Sequence, residues 1–468
     1  MKRNTTLALI VCLAIFNNCY ADARLPAIIG DHMVLQQRSS VKLWGWCNTT
    51  EKIEVLPSWD TTHYRTAGDG NGKWELTIQT AAAGGPYSID IKADNKITIT
   101  DVLLGEVWDC SGQSNMEQSD SWGKQWYTDE LSKTNINSIR LFYMPRNTAE
   151  YPQEDSHAKW VVCNPEDLKR FSMVGFFFGK ELNEKLNAPV GLINANWGGT
   201  PVETWTPSTA TANDTALLRA ASLIKPTAWW PVNTGYAYNG MVHPNTKYNI
   251  AGVIWYQGEG NVSFPNKYSD AFAAMITAWR KAWQKDLPVY YVMIAPFDYG
   301  KSNNSALLRE QQAKTLSVAN TGMVVATDLV DDIKDIHPKN KKDVGLRLAH
   351  MALAKTYGLQ NQVYQYPSFK SMSVEKDKIR VLMNAANGLV QKGDTLHGFY
   401  IAGADKQFVP AIAKIEGNAV VLYNKDVKEP VAVRFAFTST DMPNLFSKEA
   451  LPAVPFRTDD WDDVTTLK

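Results

Sequence analysis

Two hydrophobic rhythms divide the chain. In residues 24–100, short segments alternate apolar and polar positions, as in Val41-Lys42-Leu43-Trp44-Gly45-Trp46 and Tyr87-Ser88-Ile89-Asp90-Ile91, with turn clusters such as Gly68-Asp69-Gly70-Asn71-Gly72 between them. A period of two predicts half-buried strands, here a small β-sandwich or jelly-roll-like module. From about residue 101 the apolar residues gather into runs over 102–108, 139–143, 189–195, 250–256, 287–295 and 322–327. Between these runs the spacing becomes helical over 172–186, 268–284, 304–318 and 341–357; the second of these repeats Tyr268, Phe272, Met275, Ile276, Trp279 and Trp283. Buried strands alternating with amphipathic helices predict an α/β domain on a parallel sheet. Residues 362–468 return to β patterning, with strands expected over 378–383, 419–423 and 430–437. The expected organisation is therefore a leader over 1–21, a β module over 22–100, an α/β domain over 101–360 and a second β module over 361–468.

The leader reading rests on Lys2 and Arg3 followed by an apolar run over 7–16 and small or polar residues to Ala21. That run is too short to span a bilayer and fits a secretory signal cleaved near Ala21 or Ala23. The expected location is secreted or periplasmic; Phe16-Asn17-Asn18 before Cys19 fits a lipoprotein signal poorly. Beyond the leader, Cys47, Cys110 and Cys163 are an odd set, so at most one disulfide joins them. With a formal net charge of zero, nothing suggests a nucleic-acid surface or a polybasic membrane anchor. No Cys-x-x-Cys or His-Glu-x-x-His spacing signals a metal. The aromatic stretch around Trp205, Trp229, Trp230, Tyr236 and Tyr238 reads as loops over a site, and flat indoles suit sugar stacking.

In a parallel sheet the carboxyl ends of the strands face one crevice. Four strand ends here carry unusual sequence: Gly112-Gln113-Ser114-Asn115, Trp197-Gly198-Gly199-Thr200, Tyr256-Gln257-Gly258-Glu259 and Asp335-Ile336-His337-Pro338. Taken singly, each has a plain alternative: a capping serine, a glycine turn, a surface hydrogen-bonding pair, a histidine shaping a helix entrance. Taken together they supply the parts of acyl transfer. Ser114 is the candidate nucleophile and His337 its base. Asp335 is the candidate orienting acid, chosen among Asp328, Asp331, Asp332 and itself because only Ile336 separates it from His337. The glycine pair would aim a backbone N–H at the oxyanion, with Gly198 and Gly199 both open as donor, and Gln257 would add a side-chain donor. Gln113, Asn115 and Glu259 are candidate substrate contacts.

These blocks resemble the SGNH (GDSL-type) esterases, specifically the branch of sialate O-acetylesterases and related carbohydrate acetylesterases. Similarity extends to the flanks, at Asp101-Val-Leu-Leu-Gly-Glu-Val-Trp108, Asn444-Leu-Phe and Leu451-Pro-Ala-Val-Pro-Phe-Arg457. The resemblance implies a flavodoxin-like three-layer catalytic domain with accessory β modules, no cofactor, and serine-dependent deacetylation of sugar esters. It assigns Ser114, the Gly198-Gly199 pair and His337 to the family's blocks, with Gln257 where many such enzymes have asparagine. The common Asp-x-x-His spacing is Asp-x-His here, with Lys334 at the usual acid position, so the acid is Asp335, a neighbouring aspartate or a backbone carbonyl. The implied substrate is an O-acetylated sialic acid, with acetylxylan or another glycan as the alternative. A catalytically inactive carbohydrate-binding protein is the alternative of another class, opposed by the intact Ser114 and His337. A sialic acid carries a carboxylate, so an arginine in the crevice favours it, and Arg146, Arg170 and Arg309 are the candidates. Oligomeric state is left open.

Overall fold

The computed structural model describes residues 22–123, 126–300, 302–385 and 387–461. The proposed leader and Cys19 lie outside these. Six strands run parallel through the centre: β1 (Lys96–Gly112), β2 (Ile136–Tyr143), β3 (Val190–Asn196), β4 (Gly252–Tyr256), β5 (Val289–Met293) and β6 (Thr321–Val325). Their order across the sheet is β6-β5-β4-β1-β3-β2. Setting β2 aside, the remaining strands follow the second-first-third-fourth-fifth order of flavodoxin-like sheets. The 139–143 run thus forms an added strand beyond that five-strand order, and Trp160–Cys163 pairs antiparallel outside it.

Helices cover both faces, because successive side chains of a strand point to opposite sides. On one face Phe176 and Leu182 of α2 (Met173–Leu186) and Val344 and Leu348 of α5 (Lys341–Lys355) pack on Trp108, Cys110 and Ile254. On the other, Phe272 and Trp279 of α3 (Tyr268–Trp283) and Leu308 of α4 (Asn304–Lys314) pack on Val253, Trp255 and Tyr291. Ser172 caps α2 by accepting the Gly175 N–H at 2.9 Å. Trp205 and Tyr238, expected in loops over the site, belong instead to the buried core, whereas Trp229 is 79 % exposed.

The two flanking β regions attach differently. The amino-terminal half of β1 pairs antiparallel with Gly84–Lys92 and parallel with Val34–Gln36. Its carboxyl-terminal half then enters the parallel sheet. Residue 101 therefore lies inside one continuous strand, and Ile53, Ile78 and Ile91 share a core with Val253 and Trp279. After residue 361, Val381, Val420, Phe435 and Phe456 build a core of their own. That region meets α4 through polar contacts: Ser305 with Ser439 at 2.9 Å, Arg457 with Glu310 at 3.0 Å, and Arg309 with the Thr438 carbonyl. Cys47, Cys110 and Cys163 are all buried free thiols.

Candidate active site

The site is built where β1 ends between β3 and β4. Gly112 has φ +149°, and a Cβ there would lie 2.2 Å from the Tyr256 carbonyl oxygen, so only glycine lets these two strand ends approach. Gln113 follows in extended conformation, and its side-chain oxygen accepts the N–H groups of Gly258 at 3.2 Å and Gly260 at 3.1 Å. The chain then turns into a single helical turn, α1 (Ser114–Glu117), which puts Ser114 first at the helix start. Among the described residues the Ser114 backbone N–H has no acceptor.

The loop after β3 closes on α1 from one side. A Cβ on Gly198 would sit 3.2 Å from the Ser114 Cβ and 3.3 Å from Glu117 Oε2, so this backbone packs directly against the nucleophile's turn. Gly198 donates its N–H to Glu117 Oε2 at 2.8 Å. Arg146 holds the other oxygen of that carboxylate, at 2.6 Å and 2.8 Å. Burial pushes the Glu117 carboxyl above its ordinary range, against the pull of Arg146 and the Gly198 N–H. Gly199 has φ +81° and lies against the Trp230 indole, and among the described residues its N–H has no acceptor.

From the other side, Asn115 ties three loops together. It is fully buried; its Nδ2 donates to Glu259 Oε1 at 2.6 Å and to the Ile336 carbonyl at 3.1 Å. Its Oδ1 accepts from Lys341 Nζ at 2.6 Å. The residue after Ser114 is thereby bonded to the residue before His337. Burial raises the Glu259 carboxyl, opposed by the Asn115 hydrogen bond and the Lys341 charge. Asp335 Oδ1 lies 3.7 Å from His337 Nδ1, an ion-pair distance beyond hydrogen-bond length, and accepts the His337 backbone N–H at 3.0 Å. The neighbouring aspartates point elsewhere: Asp328 to Arg347 at 2.7 Å, Asp331 to Lys339 at 2.8 Å, and Asp332 to the Lys334 N–H at 2.9 Å. The Trp122 indole stands edge-on to the His337 ring, 5.6 Å between centroids.

Residues 105–354 match the family of carbohydrate esterases described as sialic acid-specific acetylesterases. The chain belongs to this family. A solved carbohydrate acetylesterase from Xanthomonas citri superposes with a TM-score of 0.86 at 34 % identity, over 94 % of this chain and 100 % of that one. Sialate O-acetylesterase from Pongo abelii is 27 % identical over 484 aligned residues, covering 92 % of each chain. The Homo sapiens enzyme of that name is 28 % identical over 385 residues, covering 74 % of this chain and 73 % of its own. The protein is thus an esterase of the acetylesterase family.

Several of the expected site residues of this acetylesterase are bonded inside the scaffold. Gln257 is fully buried, its Nε2 donates to the Thr200 carbonyl at 3.0 Å and to Asn261 Oδ1 at 2.8 Å, and its Oε1 accepts from Tyr268 at 2.9 Å. Its amide nitrogen thus has two acceptors inside the scaffold. Gly198 is likewise engaged by Glu117, which leaves Gly199 as the available glycine. Gln113, Asn115 and the Glu259 carboxylate face inward and join loops rather than facing a substrate. Glu117, Lys341 and Trp122 stand around the site and were not singled out in the sequence. Of the candidate arginines, Arg309 is buried against the carboxyl-terminal β region and Arg146 pairs with Glu117, while Arg170 is exposed.

Proposed function

We propose that the protein is an exported sialate O-acetylesterase of the SGNH type, with Ser114 as nucleophile, His337 as general base and Asp335 as the imidazole's charged neighbour. The observation that carries the reading is the Asn115 bridge to the Ile336 carbonyl, which binds the turn of Ser114 to the loop of His337. Ser114 Oγ attacks the acetyl carbon as His337 takes its proton. The tetrahedral oxyanion lies between the N–H groups of Ser114 and Gly199, both without an acceptor among the described residues. One such donor contributes on the order of 3 kcal/mol in other hydrolases. Collapse returns the proton to the sugar hydroxyl, leaving acetyl-Ser114. Water, deprotonated by His337, then releases acetate. The flanking β regions are read as accessory modules over 22–100 and 361–468. Export is supported by the leader pattern over 1–21, and no helix of the described residues is long and apolar enough to cross a membrane. Acetate release from O-acetylated sialic acid and from acetylated xylan, measured side by side, tests the substrate assignment. Higher kcat/KM on the sialic acid is expected, and preference for xylan overturns it.

A further inference from the structure

Beside the nucleophile's turn lies a cavity of about 440 Å³ that none of the catalytic steps uses. It is lined by Glu117, Trp122, Tyr143, Lys159, Asp167 and Arg170 among others. Two of its walls belong to the site itself: Glu117 pins the oxyanion loop, and Trp122 touches the His337 ring. A sugar in this space would lie beside the helical turn that begins with Ser114. Trp122 is 38 % exposed and Tyr143 is 40 % exposed, large apolar faces left open to solvent inside a concave space.

The charges in the cavity are unequally occupied. Both of its carboxylates have partners: Glu117 binds Arg146 and the Gly198 N–H, and Asp167 accepts from Asn164 Nδ2 at 2.6 Å. Among the described residues, neither Arg170 nor Lys159 has a side-chain hydrogen bond or an ion pair. The backbone behind Arg170 is nonetheless fixed, because the Ser121 N–H donates to the Lys169 carbonyl at 2.7 Å and Arg170 donates its own N–H to Asp167 at 3.2 Å. Ser119 and Ser121, hydrogen-bonded to each other at 2.9 Å, put hydroxyls on the same wall. A cavity with two unengaged cations, open aromatic faces and hydroxyls fits a sugar that carries one carboxylate.

We propose that this cavity is the subsite that selects an anionic sugar, with Arg170 and Lys159 holding its carboxylate while the acetyl ester lies at Ser114. The proposal rests on the esterase mechanism given above and adds to it the residues that read the substrate's charge. The test compares wild type, Arg170→Ala, Arg170→Lys and Arg170→Ala/Lys159→Ala on 9-O-acetylated N-acetylneuraminic acid, 6-O-acetylated N-acetylglucosamine and 4-nitrophenyl acetate. The double variant should raise KM for the anionic sugar about tenfold or more, the scale of a lost charge-assisted hydrogen bond. Its kcat, and its turnover of the two neutral esters, should stay within about twofold on the scale of exposed side chains remote from the reacting atoms. Arg170→Lys should keep part of the effect, and added salt should shrink the wild-type preference. Equal loss on all three substrates, or no rise in KM for the anionic sugar, overturns the subsite. Failure of the mechanism would show separately, as undiminished 4-nitrophenyl acetate turnover by Ser114→Ala.

Discussion

The loops after β3 and β4 flank the same strand, carry similar glycine-rich sequence, and do opposite jobs. In the loop after β3, Glu117 fixes Gly198, and the next N–H is left without an acceptor among the described residues. In the loop after β4, polar groups are bonded into the scaffold: Gln257 to Thr200, Asn261 and Tyr268, Gly258 and Gly260 to Gln113, and Glu259 to Asn115. A donor preorganised for an oxyanion is best left unspent in the resting protein. In the proposed mechanism the first loop is therefore the chemical one and the second the structural one, although residue type alone ranks them the other way.

The largest expected effect that tests this contrast is Glu117→Ala. It frees the Gly198 N–H, leaves Arg146 unpaired, and lets the glycine pair reorient. A loss of about 10² in kcat with little change in KM is expected, the scale of one displaced oxyanion donor. Steady-state kinetics on 4-nitrophenyl acetate check it, and an unchanged kcat would break the assignment of the β3 loop. Asp335→Asn should cost about ten- to a hundredfold in kcat. That is well short of the ~10⁴ of a triad whose acid bonds the imidazole directly, because Asp335 stands 3.7 Å from Nδ1. A loss near 10⁴ would mean that the acid closes on the imidazole during turnover.

Gln257→Ala sharpens the contrast from the other side. It removes buried hydrogen bonds and should lower stability by about 1–3 kcal/mol in denaturant unfolding. The kcat of the folded fraction should stay within about fivefold, below the 10²–10³ of a lost oxyanion donor. Asp109 provides a control beneath both loops, paired in register with Ile193 of β3 and Val253 of β4. Complete burial pushes its carboxyl up to about 7, partly opposed by the Ser111 hydroxyl. The folded protein therefore binds a proton that the unfolded chain, titrating near 4, has already released. Stability from this group is full below about pH 4 and is lost as pH rises toward and through 7. Asp109→Asn should raise the melting temperature relative to wild type at pH 8, lose that advantage at pH 4, and leave kcat unchanged.

The periodicity of the chain placed the elements well, because buried parallel strands leave apolar runs that polar loops cannot imitate. The expected helix over 172–186 is Met173–Leu186 with Ser172 as its cap, and the expected strand over 250–256 is Gly252–Tyr256. Sheet order was less legible: nothing in 139–143 marks it as a strand added beyond the five-strand order, and its outer partner at 160–163 arrives only after a long loop. At the site, the sequence pointed to Ser114 and His337 by their position at strand ends, and the comparisons add the family. The hydrogen bonds of Gln257 were not legible, because a residue's type does not reveal where its amide points. Glu117 was hidden because an acid in a helix's first turn already has a reason to be there, the helix dipole. Lys341 carried a readable signal that went unused. A cation at the first position of a helix opposes the dipole, and such broken local rules mark functional places. Here it is buried and donates to Asn115.

Acyl-enzyme trapping tests the central claim most directly. After treatment with a serine-reactive phosphonate, intact-mass and peptide mass spectrometry should find one adduct per chain, on Ser114. The Ser114→Ala protein should take up none and should release no acetate above background. An adduct on another residue, or acetate release by Ser114→Ala at the wild-type rate, would contradict the account.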